Sequence, residues 1–286
     1  FYSPTHPIRA IDIYVEPRGT TPRTLDLCLL DVVPYGLPSE VISCTDWERF
    51  PIPGTQNVLI NNVWNKNLAR GRPNKQCLTK RHTDAGDQFG WTWDWPDIED
   101  SSSYAAPEVV WGRKPWDGGD STTPDLPRRI DALQSLSLDY AVEIMAGQSY
   151  NLNATMWLTQ TEAAPSTPDP QNVVAEVMVR FNNPLGIAGG DVDDGQVTLG
   201  GIPFRVTHQD AHADASGGSS TTWKMVVYDA TSSRLAGQFD LALVLRDMLA
   251  MGLAQPENGV QGVEFITEVS GGRGEVWLNR FGVTAR

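Results

Sequence analysis

The sequence predicts an all-β sandwich of antiparallel strands, and three observations carry that expectation. Ten runs alternate apolar with polar residues or are rich in β-branched side chains, near 9–15, 57–64, 108–112, 136–144, 150–158, 172–181, 202–208, 223–229, 262–269 and 274–283. Clusters of Gly, Pro, Asp and Ser separate them, as expected of short strands joined by turns. Only 239–251 has helical character: it is Leu/Ala-rich, Asp240 and Asp247 share one face, and Gly252 stands where a C-cap belongs.

The 286 residues, 40% of them hydrophobic, suffice for one large β domain, assigned to 43–286. Residues 1–42 read as an N-terminal extension, because Pro4, Pro7, Pro17 and Pro22 surround the run at 9–15 and make it an edge strand or a wrapped arm. Segments 117–127, 161–171 and 213–222 are loop-like in composition. The net charge of −13 argues against nucleic acid or an anionic membrane surface as a partner, since phosphates would be repelled. The longest apolar stretch, Leu241 to Leu253, is broken by Arg246 and Asp247 and falls short of the about 20 residues that span a bilayer. A chain that opens on Phe1 suggests a processed, secreted protein.

No metal site is expected. Cys28, Cys44 and Cys77 include no Cys-x-x-Cys pair, and the simplest arrangement is one disulfide plus a spare thiol. His208 and His212 are spaced like a helical zinc motif but lack its Glu, and their flanks are not helical. The acidic run Asp191 to Gly195 fails as an EF-hand loop, with its Gly one place early and Ile202 at the twelfth position.

Chemistry enters through the alternation of strand faces. In 173–181, Val173, Ala175, Val177, Val179 and Phe181 form an apolar face, and Glu176, Met178 and Arg180 point the other way. In 263–269, Glu264, Ile266 and Glu268 share the face opposite Val263, Phe265, Thr267 and Val269. Two carboxylates from separate strands, meeting on a sheet rich in aromatics, are what glycosidic hydrolysis needs. A Glu on the solvent face of a strand is equally ordinary surface chemistry, so these runs alone leave both readings open. Asn151, Asn153, Thr155 and Trp157 make a polar face that suits a sugar cleft better than a core, and Asn62 with Trp64 makes another. Glu143 adds a carboxylate to the polar face of its own strand. Seven of the ten tryptophans precede residue 120, and Trp91, Trp93 and Trp95 share a strand face, where they can stack on sugars or fill a core.

These landmarks resemble glycoside hydrolase family 12, the β-jelly-roll endoglucanases. The likeness runs over 43–286 through Ser43-Cys44-Thr45-Asp46-Trp47, Asn61-Asn62-Val63-Trp64, Cys77, Glu176-Val177-Met178-Val179, the helix near 239–251 and Val263 to Glu268. The resemblance implies two antiparallel sheets with a concave cleft, and a retaining endo-β-1,4-glucanase acting on cellulose-type, mixed-linkage or xyloglucan chains. It assigns Glu176 as nucleophile, Glu268 as acid/base and Glu143 as an auxiliary acid, with Glu264, about 13 Å along the strand from Glu268, set aside. Asn62, Trp64, Trp47, Trp93, Trp157, Asn153, Met178 and Arg180 are the expected substrate contacts. Arg180 stands where the family usually has Trp and would favour an ionised Glu176. A Cys44–Cys77 disulfide, a free Cys28, no cofactor and a secreted monomer complete the expectation. A non-catalytic, lectin-like carbohydrate-binding sandwich is the alternative; a purely structural sandwich would instead bury the tryptophans and show no cleft.

Overall fold

The computed structural model describes residues 38–97, 103–115, 120–146, 149–162, 170–187, 189–213 and 221–286. Cys28, Trp116 and the run at 9–15 lie outside the described residues, as do most of the 1–42 extension and parts of the three loop segments.

Apolar alternation sorts the strands into two sheets with a shared core. Numbered in chain order, the smaller, outer sheet runs β1 (Ser39–Ser43), β4 (Lys75–Thr83), β5 (Gly86–Trp95), β17 (Gly272–Ala285), β8 (Leu136–Ala146), β14 (Ala236–Asp240). The larger sheet runs β11 (Val192–Leu199), β12 (Ile202–Ala213), β13 (Thr222–Ala230), β10 (Val173–Asn182), β9 (Tyr150–Thr159), β16 (Gly262–Val269), β6 (Glu108–Gly112), β3 (Val58–Ile60), β2 (Arg49–Pro51). A short pair, β7 (Arg128–Arg129) with β15 (Gly259–Val260), joins it through β9. Pairing is antiparallel except between β10 and β13, which the β11–β12 hairpin separates in sequence. This is the β-jelly-roll sandwich expected from the sequence.

The core lies between the sheets. From the larger sheet, Ala175, Val177, Val179 and Phe181 of β10, Leu152 to Leu158 at every second residue of β9, and Val263, Phe265 and Val269 of β16 face inward; from the outer sheet come Trp91, Trp93 and Trp95. Val173 departs from the expected face: the register shifts between Val173 and Ala175, and this bulge turns Val173 to the other side, against Trp157 and Trp223. Gly90 is required where β5 meets β17, since a Cβ there would lie 1.9 Å from the Val276 carbonyl oxygen.

The helix, α1 (Ala242–Met251), is shorter than the expected 239–251. Phe239 and Asp240 belong to β14, because the Asp240 carboxylate accepts the backbone N–H groups of both Leu136 and Ala242 and so closes the strand and opens the helix. Gly252 caps it at φ 74°. The segment around Asn62 and Trp64, expected as strand, leaves β3 at Ile60 but stays beside β6 through the bond from Ala106 N–H to the Asn62 carbonyl. A Cys44–Cys77 disulfide ties the turn after β1 to β4.

Candidate active site

The outward face of the larger sheet gathers carboxylates, amides and indoles across β13, β10, β9, β16 and β6. Glu176 of β10 is registered beside Trp157 of β9 and Met225 of β13. Trp223, two residues from Met225, donates its indole N–H to Glu176 Oε2 at 3.1 Å and meets Trp157 edge-on at 5.5 Å. Met178 sits next to Glu176 on the floor with Met225 and Val227. Burial pushes the Glu176 carboxyl up to about 8, Glu268 adds to the rise, the Trp223 bond opposes it, Glu264 adds further and Lys114 opposes it. The side chain keeps a solvent-exposed edge, which moderates the size of this rise without changing its direction.

Which carboxylate stands nearest Glu176 follows from the register. Both β10 and β16 pair with β9; Glu176 lies opposite Trp157, Glu264 opposite Thr155 and Glu268 opposite Asn151. Glu264 is thus offset by two residues and Glu268 by six along the shared strand. At about 3.3 Å per residue and 4.8 Å between strands, the α-carbons are roughly 12 Å apart for Glu176 and Glu264 and roughly 22 Å for Glu176 and Glu268. Two inward-reaching glutamates can close the first gap to the about 5–5.5 Å of a retaining pair, but not the second. By backbone register, then, Glu264 lies nearer to Glu176 than the expected partner Glu268 does. The side chains lean against this backbone order. Glu268 reaches inward to 4.0 Å from Arg180 Nη2, itself 4.0 Å from Met178 Sδ, while Glu264 is drawn away toward Lys114; hence Glu268 outranks Glu264 among the charges acting on Glu176.

Glu264 is 3% exposed and ends in a buried ionic cluster. Lys114 Nζ lies 2.8 Å from Glu264 Oε2 and 2.9 Å from both Glu108 oxygens, and Asn62 Nδ2 donates to Glu108 Oε1 at 3.1 Å. Among the described residues, Glu264 Oε1 has no hydrogen-bond partner. Burial pushes Glu108 up to about 8, against the pull of Lys114 and with Glu264 adding to it. Burial alone would depress the Lys114 ammonium, but the two carboxylates outweigh it and hold it above the ordinary lysine value.

A polar ladder runs along β9 toward Glu268. Thr155 Oγ1 donates to Asn153, Asn153 to Asn151, and Asn151 to Glu268 Oε2, each at 2.6 Å. Arg180 is on the same face as Glu176, as expected, yet its guanidinium serves the Ile187 carbonyl at 2.9 Å, Asp229 at 3.5 Å and Glu268. Trp64 follows Asn62 half-buried. Trp47 is 48% exposed and held at φ 65°, a conformation rarely adopted by an aromatic residue, with its N–H on the Asn61 carbonyl at 2.7 Å.

Two expected site residues lie elsewhere. Trp93 points from β5 into the inter-sheet core, packed at 6.1 Å against Tyr150, because that face of the outer sheet is the core. Glu143 is on β8 of the outer sheet, opposite Trp277 and bonded at 2.5 Å to Arg81, whose guanidinium covers the Trp277 ring. The sequence reading missed Trp223, Lys114 and Glu108. Trp223 was legible as the first outward residue of an alternating strand. Glu108 was hidden in the core-like run Glu-Val-Val-Trp-Gly, and Lys114 in the turn after it. Among the described residues, no group of three or more His, Cys, Asp or Glu side chains could hold a metal, and no helix is long and apolar enough to cross a membrane.

No family model matches the chain. It is 25% identical over 250 residues to Endoglucanase S of Pectobacterium parmentieri, covering 87% of this chain and 89% of that protein. Among solved structures it resembles a family 12 xyloglucanase from Bacillus licheniformis, with a TM-score of 0.74, 23% identity, and 87% and 100% of the two chains covered. An endoglucanase from Rhodothermus marinus superposes with a TM-score of 0.67 at 21% identity, covering 85% and 98%. The chain has the fold of glycoside hydrolase family 12, the family its sequence landmarks resemble.

Proposed function

We propose that the chain is an endo-acting β-1,4-glucan hydrolase of the retaining type, with Glu176 as nucleophile and Glu264 as acid/base. The observation that carries it is the register: two glutamates share the outward face of one sheet, a single strand lies between them, and their offset is two residues. Glu176 attacks the anomeric carbon while Glu264 protonates the departing oxygen; water, deprotonated by Glu264, then releases the sugar from Glu176. Charge on one carboxyl favours the proton on the other, so the pair shares one transferable proton. The half-buried Trp64 and the exposed Trp47 offer flat faces to sugar rings, the buried Trp157 and Trp223 back Glu176, and Asn62, Asn153 and Arg180 fix the floor. Glu268, held by Asn151 and Arg180, binds hydroxyls further along the cleft.

An endoglucanase and a xyloglucanase among the relatives support cellulose-type, mixed-linkage and xyloglucan chains as the substrates to test, and the disulfide supports a secreted protein. The test is release of reducing sugar from these three soluble glucans, with product size and the anomer formed first read by NMR. Oligosaccharides released first as the β-anomer are expected. Binding without release would indicate the lectin-like alternative, and the α-anomer first would exclude retention.

A further inference from the structure

Resting on the reading of Glu264 as acid/base, we propose that Lys114 is its positioning residue: it clamps Oε2 from a platform of Glu108 and Asn62, leaving Oε1 as the oxygen presented to the glycosidic bond. The geometry is specific. One ammonium with three donors meets three carboxylate oxygens at 2.8–2.9 Å, Glu108 is fixed in turn by Asn62, and the fourth oxygen, Glu264 Oε1, is buried and has no partner among the described residues. An unpaired carboxylate oxygen in a dry site costs stability unless something completes it, and a protonated leaving oxygen would do so.

Charge points the same way. Two carboxylates share one ammonium in the cluster, and burial raises the Glu108 carboxyl, so Glu108 competes only weakly with Glu264 for the Lys114 charge. Among the described residues, the charged and titratable groups that act with Glu264 are Lys114 in contact with it, Glu108 of β6 and Glu176 of β10, with Glu268 four residues along its own strand; the facing β9 presents Thr155, Asn153 and Asn151. Lys114 is the cation in contact with Glu264.

The test compares wild type, Lys114→Met, Lys114→Arg and Glu108→Gln by kcat and KM on a soluble β-glucan from pH 4 to 9, with folding checked by circular dichroism. Lys114→Met is expected to lower kcat at least about tenfold with KM little changed, and to move the pH profile upward by about one unit as the carboxylate loses its cation. Lys114→Arg restores most of both by keeping the charge. Glu108→Gln replaces one acceptor oxygen of Lys114 by an amide nitrogen that cannot accept, so it should lower kcat by about threefold or more while leaving the profile below about pH 8 nearly in place. A folded Lys114→Met with wild-type kcat and pH profile overturns the proposal. If that variant does not fold, Glu108→Gln with wild-type kcat overturns it. A wild-type chain that hydrolyses no β-glucan overturns the catalytic reading together with this one, whereas an active wild type with either of these variant results overturns this one alone.

Discussion

Glu264 and Glu268 sit four residues apart on one face of one strand, and the two ends of the cleft they mark are built differently. At the Glu264 end a carboxylate is sealed into an ionic cluster with Lys114 and Glu108, one strand away from Glu176. At the Glu268 end the carboxylate is 20% exposed, capped by an asparagine ladder and shared with Arg180. Dry, crowded charge is where a proton can be held and given at a chosen pH; a wet, amide-lined carboxylate is a binding group. On the proposed reading, identical residues on an identical face take different chemistry from what lies across the neighbouring strands.

Substitutions at the two ends and around them test that contrast. The largest effect is expected at the sealed end: Glu264→Gln should lower turnover of a soluble β-glucan by about 10²–10⁴-fold, and Glu268→Gln by about tenfold or less, mainly through KM. Comparable losses of kcat in both would erase the distinction. Next comes the scaffold behind the sealed end, where the disulfide anchors the turn bearing Trp47 and Asn61 ties Thr45 to Gln76. Cys44→Ser with Cys77→Ser opens a loop of sequence separation 33 and should cost about 3–4 kcal/mol in the chain-entropy model, read by denaturant unfolding.

The raised carboxyls give a stability test with a definite sign. Glu176 and Glu108 bind a proton more tightly folded, at about 8, than unfolded, near 4.5. The stability they contribute is full below the unfolded value and is lost as pH rises through the folded one, so Tm should fall between about pH 5 and 8. Glu176→Gln removes its share, raising Tm at pH 8 and leaving Tm at pH 5 nearly unchanged; equal Tm for both proteins at pH 8 would show that Glu176 is not strained by its site. The smallest effect is expected outside the cleft, where Glu143→Gln should leave kcat/KM unchanged and cost about 1 kcal/mol or less, because its bond to Arg81 is half in water. A tenfold loss of activity there would return Glu143 to the site.

Much of this was legible from alternation alone. Strands β6, β8, β9, β10, β13 and β16 begin and end within two residues of the expected runs, since each has one mainly apolar face. β4 and β14 were not read: Lys-Gln-Cys-Leu-Thr-Lys and Ala-Gly-Gln-Phe-Asp carry no clean period, and neighbouring strands rather than local pattern hold them. The three indoles of β5 were placed on one face correctly, but nothing local says whether that face meets sugar or the other sheet. Glu176 announced itself as a carboxylate opposite a core face. The partner proposed for it did not, because Glu264 and Glu268 have the same parity and only the register of β16 on β9 separates them. Lys114 belongs to a turn, and its role exists only once β6 and β16 pair.

The pairing of Glu176 with Glu264 is tested most directly by azide rescue on an activated aryl β-cellobioside. Glu264→Ala should still form the glycosyl-enzyme, stall, and recover turnover with azide to give the β-glycosyl azide, because the vacated acid/base site admits the anion on the face where water would attack. Glu268→Ala should turn over without azide and gain nothing from it. A β-glycosyl azide from Glu268→Ala and no rescue of Glu264→Ala would contradict the pairing.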